Sequence, residues 1–566
     1  MSVVKNYQDF KSNQPKYKPW KQERDLSLEK KVEYIKNNKI NPNDYNNDIE
    51  RAKIVLNAVD VMDEYSQSSA ENMEQVTQAA IMPIETALPY ISLGVGGLVG
   101  LIGKKSRNAF NEIFNGNFKN IKHLIPSGIS AATTFISVTC AITFWACKNQ
   151  IKASRLARTE AMINDLSSIN QFAVLDESQK AEVEKIADTI QVDKKESKQI
   201  IQKRTGLGVL SSLKTMVKPD QKVVDKYNEI SKNTEEEIKN IDNIKLNKEQ
   251  ELEAKKDKEL IQTIVEKVDI ASQDYAENTE LATGVLGAIF AGLGVGSYAG
   301  IKKILSFINP LKKYSSICAV VISYVGVLAG AIYATKLQKQ ASRVGRYKAR
   351  KELLDNPEQL IYIESEKYKD SQVQPKEIKK DGYFKRLFNL IKDNKEYNEY
   401  IKNNNTRNIQ LRKAKDKIKL SDDQALRAEQ LQKNVFKMFN RLDDKSQSYA
   451  EATEAIGDVA MQMLTLISSL IPMIVIATKT LKTKKIGLKD FAVSFLPLIP
   501  TILLNIYITK EQKSASRVAD MVAINELSDY RHFGSTRTIN SSNNESEKNI
   551  DINVSPMLKK VLGKSI

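Results

Sequence analysis

One sequence pattern, written three times along the chain, limits its fold more than any other feature. The motif D-x-x-S-Q-x-x-A-E-x-x-E stands at Asp63, Ser66, Gln67, Ala70, Glu71 and Glu74. It returns at Asp269, Ser272, Gln273, Ala276, Glu277 and Glu280, and again at Asp443, Ser446, Gln447, Ala450, Glu451 and Glu454. A second motif, K-x-Q-x-x-A-S-R, follows each copy at Lys148 to Arg155, Lys336 to Arg343 and Lys510 to Arg517. An alanine lies six residues beyond each arginine, at Ala161, Ala349 and Ala523. The Asp of the first motif and the Ser of the second are 73 residues apart in copies two and three, and 91 in copy one. Self-similarity of this kind marks a chain built from repeated supersecondary units.

The residues of the first motif fall at offsets 0, 3, 4, 7, 8 and 11, one face of an α-helix. In the second motif Gln150, Ala153, Ser154, Ala157 and Ala161 share one mostly small face, with Gly345 and Ala519 at the Ala157 position. Small faces let two helix backbones approach closely. Twenty-four residues before each Asp stand Lys39-Ile40-Asn41, Lys245-Leu246-Asn247 and Lys419-Leu420-Ser421. Asn and Ser there are natural N-caps for a long helix.

Between the motifs of each copy lie two charge-free runs: Thr86–Gly103 and Leu124–Cys147, Leu281–Ile301 and Ser315–Thr335, Val459–Thr478 and Phe491–Thr509. Each is about as long as a membrane-crossing helix. The sequence therefore predicts an all-α membrane protein: three tandem helical-hairpin modules of two spans each, about six transmembrane helices, with long helical extensions outside the membrane. The expected partner is the lipid bilayer and the expected location a multi-pass membrane. No apolar signal segment opens the chain. Lys/Arg counts on the two sides are nearly tied, and the large polar segments are placed in the cytoplasm by a narrow margin. The glycines Gly94, Gly96, Gly97, Gly100 and Gly103 are read as helix-packing positions, because no Ser or Thr follows Gly103-Lys104 as a phosphate loop requires.

The expected organisation is a polar N-terminal tail (1–38), hairpin module 1 (39–166), a polar helical linker (167–244), module 2 (245–354), a second linker (355–415), module 3 (416–533) and a disordered tail (534–566). The linkers resemble each other where Tyr227-Asn228-Glu229 parallels Tyr397-Asn398-Glu399. Basic amphipathic stretches at Leu210–Lys218, Phe384–Lys392 and Met557–Lys564 either lie on anionic lipid headgroups or, more usually, pack as solvated helices.

Because each pair of spans goes out and back, the two motifs of a module meet on one side. A stalk is expected in which Glu280 lies near Lys336, Glu277 near Lys339 and Gln273 near Arg343, with Ala276 against Ala341 and Ser342. The candidate contact residues are Asp63, Gln67, Glu71, Glu74, Lys148 and Arg155 in module 1. Their counterparts are Asp269, Gln273, Glu277, Glu280, Lys336 and Arg343 in module 2, and Asp443, Gln447, Glu451, Glu454, Lys510 and Arg517 in module 3.

The formal charge is +17, but it is spread along the chain without aromatic-interleaved basic motifs, so no nucleic-acid partner is expected. Cys140, Cys147 and Cys318 all sit in apolar runs and suit neither a disulfide framework nor a zinc site. His123 and His532 form no paired-histidine motif, and no nucleophile motif occurs, so neither cofactor nor enzyme activity is expected. Three two-span repeats resemble the plan of mitochondrial carriers in number alone. Pro83-Ile84-Glu85 begins a P-x-E with no basic residue in register, and the other copies lack it. Two functions remain open: a scaffold or membrane-organising protein that engages protein partners or copies of itself, and a transporter or channel with pseudo-threefold repeats.

Overall fold

The computed structural model describes residues 17–42, 46–66, 104–114, 152–195, 220–308, 315–373, 383–445 and 498–534, with scattered single positions between them. The described residues are helical throughout, without a strand.

Each module contributes a lead arm carrying the first motif and a return arm carrying the second. The lead arms are residues 46–66, the first half of Lys248–Ser306, and residues 422–445. The return arms are residues 152–164, the second half of Ser315–Asp355, and the second half of Leu498–Glu526. Lead arms 2 and 3 start as their caps dictate. Asn247 accepts from the backbone N–H of Gln250 at 2.9 Å, while Gln250 Oε1 accepts from the Asn247 N–H at 2.9 Å. Ser421 and Gln424 make the same reciprocal pair, at 3.1 and 3.2 Å. Both are capping boxes, each satisfying two backbone donors that a helix start leaves open.

The arms share one core. At one, four, five and eight residues before the repeated Asp, the lead arms bury Met62, Val59, Ala58 and Val55; Val268, Val265, Ile264 and Ile261; and Leu442, Phe439, Met438 and Val435. These are successive layers of a helix stripe. The return arms close on them with small residues: Ala161, Ala349 and Ala523 are all buried. In module 2 the approach is tight. A Cβ on Gly345 would sit 2.7 Å from the Ala271 carbonyl oxygen and 2.8 Å from Tyr275 Cβ, so glycine is required there. Each return arm then ends in a short 3-10 turn, Ile169–Phe172, Pro357–Leu360 or Tyr530–Phe533. Phe172, Leu360 and Phe533 from these turns enter the same core.

The expectation of six membrane-crossing helices is corrected. Among the described residues no helix is long and apolar enough to cross a membrane, so a multi-pass membrane location has no described helix to carry it. Thr86–Gly103, Leu124–Cys147 and Val459–Thr478 lie outside the described residues apart from isolated positions, and Phe491–Thr509 is described only from 498. The reason is visible in module 2. Its runs are charge-free and rich in apolar residues, but small residues interrupt them. Leu281–Ile301 is diluted by Gly284, Gly287, Gly292, Gly294, Gly296 and Gly300. It is also one stretch of a 59-residue helix that opens with Lys, Glu and Asp. Where side chains are described, the runs pack on each other: Tyr298, Leu305 and Ala319 form a buried cluster, bordered by Cys318, and Ser297 faces Ser323 at 3.4 Å.

The segments expected to be tail and linkers also pack. Helix Tyr17–Asn37 buries Leu28 and Ile35 and lies along lead arm 2 through Arg24–Glu266 at 3.0 Å and Lys31–Glu259 at 2.5 Å. Helix Tyr383–Lys415 contains the stretch Phe384–Lys392; it buries Leu390 against Ala341 and Val344 and leaves Phe388 exposed. Leu210–Lys218 and Met557–Lys564 lie outside the described residues.

Candidate functional site

The repeated Asp of each lead arm stands one helical turn above the apolar layers, and all three converge there with residues three positions beyond the A-S-R arginines. Those residues are Arg158, Arg346 and Asp520. Arg158 donates to Asp63 of its own module at 3.0 Å and also to Asp443 of module 3. Arg346 pairs with Asp269 of its own module at 3.5 Å and with Asp63 of module 1 at 2.7 Å. Return arm 3 follows the same rule: Gln273 of lead arm 2 donates to Asp520 at 2.9 Å and to Ser516 at 3.4 Å. Arg517 closes the contact by donating to Gln273 Oε1 at 3.1 Å and to Asp274 at 3.0 Å. Each return arm therefore touches its own lead arm and that of the preceding module, in a cycle that closes on itself.

Within a module the two motifs meet through their serines. Ser66 and Ser154 hydroxyls are 2.6 Å apart, and Ser272 and Ser342 are 2.5 Å apart. Arg346 Nε donates to Ser272 as well, at 3.1 Å. The lead arms are further tied outward. Glu64, next to Asp63, accepts from Tyr397 at 3.2 Å, and Asp444, next to Asp443, accepts from Tyr227. The two parallel tyrosines of the linkers thus occupy equivalent grooves. Helix Tyr17–Asn37 fills the third groove, beside lead arm 2, with Lys21 on Asp274.

The electrostatics of the cluster follow from burial. Taking a charge out of water disfavours it unless an opposite charge compensates. Burial works against the Arg158 charge, but the Asp443 and Asp63 carboxylates outweigh it and raise its pKa. Burial raises Asp443 to about 6, against the pull of Arg158 and Arg155. It raises Asp269 to about 6, with Arg346 opposing and Asp63 adding. Asp520 is pushed well above the ordinary carboxylate range, first by burial and then by the charge of Asp269. Four carboxylates thus meet two bridging guanidiniums, Arg158 and Arg346, with Arg155 and Arg343 at the border.

Of the residues expected at the stalk, Asp63, Asp269 and Asp443 are in this cluster, and Gln273 and Arg517 brace its third corner. The hydrogen bonds of Gln273 run to module 3 rather than to Arg343. Arg155 lies over the Tyr227 ring at 5.4 Å, and Arg343 is buried beside Asp60, Asp63 and Arg346. Gln67, Glu71, Glu74, Lys148, Gln447, Glu451 and Glu454 lie outside the described residues. Glu277, Glu280, Lys336, Lys339 and Lys510 are described in backbone only, as helix. Arg158, Arg346 and Asp520 were not among the candidates, although aligning the three copies three residues further would have exposed the Arg, Arg, Asp series. Among the described residues no group of His, Cys, Asp or Glu is arranged to hold a metal ion.

The chain matches no protein-family model, no curated protein and no solved structure.

Proposed function

We propose that the chain is a structural or interaction protein: three repeats braced into one rigid head that presents its longer helices to protein partners or to further copies of itself. The observation that supports this most is the cyclic exchange of charged contacts, in which no module is complete without its neighbour. Buried ion pairs add little net stability over apolar packing, but they penalise every arrangement that leaves one charge alone. Such a cluster selects one arrangement of six arms, which suits a part whose geometry must be kept. Away from the head, large apolar side chains stand exposed where a partner can reach them. Phe307 is 77% exposed at the end of the 59-residue helix, beside exposed Ile304, and Phe388 is 72% exposed on the second linker helix. Exposed apolar residues grouped at an element's end are the usual material of interaction sites.

A photo-crosslinking residue placed at Phe307, and separately at Phe388, in the full chain in its own cells tests the proposal. Discrete adducts to another copy or to a partner protein at one or both sites are expected. Absence of protein adducts at both sites overturns it.

A further inference from the structure

Three residues past the A-S-R arginine the repeat reverses its charge inside the buried cluster. Arg158 and Arg346 each bridge two aspartates across a seam between modules, and Asp520 puts a fourth carboxylate where the third guanidinium would stand. Gln273 donates to Asp520 Oδ2 at 2.9 Å. Gln273 lies one helical turn past Asp269 on the same face, which brings the Asp520 carboxyl into the neighbourhood where the Asp269 charge acts on it. The groups that face it are accounted for on every side. Lead arm 2 presents Asp269 and Gln273; return arms 1 and 2 present Arg158 and Arg346; and Asp443 of lead arm 3 borders Asp269. On its own arm Arg517 is turned to Gln273 Oε1 and Asp274, and Lys21 of the N-terminal helix is also spent on Asp274. The two guanidiniums are already engaged by Asp63, Asp443 and Asp269.

We propose that this third corner is a proton-binding site: one proton held between Asp520 and Asp269 takes the place of the missing guanidinium and keeps return arm 3 closed on lead arm 2. Two carboxyl groups pressed together and partly desolvated share a proton rather than ionise together. Burial, and then the neighbouring Asp269 charge, favour the neutral form of Asp520 in the same sense. When the proton leaves to solvent, two like charges face each other at this seam alone. At the seams made by Arg158 and Arg346 the carboxylates, Asp443 among them, keep a guanidinium beside them when they ionise. The site therefore makes one of three equivalent joints the most responsive to pH.

The sign follows from linkage. The folded chain binds this proton more tightly than the unfolded chain, so the closed joint is favoured at acid pH and weakened as pH rises through the raised pKa. Hydrogen exchange on the full chain, corrected for intrinsic rates, reads the three seams separately. From about pH 5 to about pH 8, opening at residues 515–526 is expected to increase about tenfold, the equilibrium change that one pKa unit brings. Residues 152–164, where Arg158 still offsets Asp63 and Asp443, should lose less protection over the same range. Asp520→Asn should abolish the response, and Asp520→Arg, which restores the repeat, should do the same. A pH-independent third seam in the unmodified chain, or Asp520→Asn retaining the full response, overturns the proposal. Should Asp520→Asn fail to fold, the infrared carbonyl band of a protonated carboxylic acid decides. It must be present in the unmodified chain at about pH 6 and weaker in Asp520→Arg, where Asp443 still contributes, and an absent band or one equally strong in Asp520→Arg overturns the proposal.

Discussion

The seam between return arm 1 and lead arm 3 and the seam between return arm 3 and lead arm 2 occupy equivalent places in the repeat and hold by opposite chemistry. The first is a guanidinium between two buried carboxylates, Arg158 with Asp63 and Asp443. The second is an amide and a carboxyl, Gln273 on Asp520, braced at its edge by Arg517. The backbone arrangement survives the exchange because the layers beneath are apolar in all three modules and do not depend on what sits above them. Charge at the top of the head thus sets which arms meet, and burial below sets how firmly.

The largest expected effect breaks the first seam. Arg158→Leu strands Asp63 and Asp443 with one compensating charge fewer and should cost about 3–5 kcal/mol in urea unfolding at neutral pH. Asp520→Leu, at the equivalent place, removes a carboxyl that opposes its surroundings and should be neutral or stabilising by about 1–4 kcal/mol. Equal losses at both sites would erase the comparison. Next, Gly345→Ala forces a Cβ into the Ala271 carbonyl and should cost about 1–3 kcal/mol. The matching change Ala157→Gly only loosens a helix and should cost about 0.5–1 kcal/mol. Capping offers a control in which modules 2 and 3 should agree: Asn247→Ala and Ser421→Ala each remove a capping box and should cost about 1 kcal/mol. The smallest effect belongs to the exposed pair Lys180–Glu177 on helix Glu177–Thr189, where Lys180→Gln should change stability by no more than about 0.5 kcal/mol.

The cluster also carries a pH dependence to which more than one seam contributes. Asp443 and Asp269 are both raised to about 6 by burial, above the roughly 3.9 of an exposed aspartate. Their contribution to stability is fully present below the unfolded value and declines as pH rises toward 6. Urea midpoints measured from about pH 4 to pH 7 should fall along this range, and the slope should lessen in Asp520→Asn.

Much of this head is legible in the sequence, and the failures have physical causes. The caps at Asn247 and Ser421 and the small faces of the return arms are local features, and a helix start or a close approach needs the same residues wherever it occurs. The partner of each arm is not legible, because tandem copies present the same faces to one another. Gln273 suits Arg343 of its own module as well as Arg517 of the next, and only the folded chain chooses. Asp520 breaks the Arg158, Arg346 series between two positions that the copies share as small residues, so the small face masks the change of charge. The apolar runs pointed to spans through their length and lack of charge, while in module 2 glycines and serines thin the apolar surface they present. The N-terminal segment looked like a tail because its apolar residues Trp20, Leu28 and Ile35 are spaced widely among lysines and glutamates.

The cyclic pairing has a consequence for biosynthesis. Only one of the three joints, Arg346 with Asp63, can form from the first two modules as they leave the ribosome. Arg158 must wait for Asp443, 285 residues later, and helix Tyr17–Asn37 finds its place only when Glu266 emerges, 242 residues after Arg24. The nascent chain therefore carries an arginine with only one of its two carboxylates and an open apolar stripe until its last third is made, a state in which chains of this size are prone to mispair. A polypeptide that completes itself only at its final module is one whose translation must finish before its geometry exists.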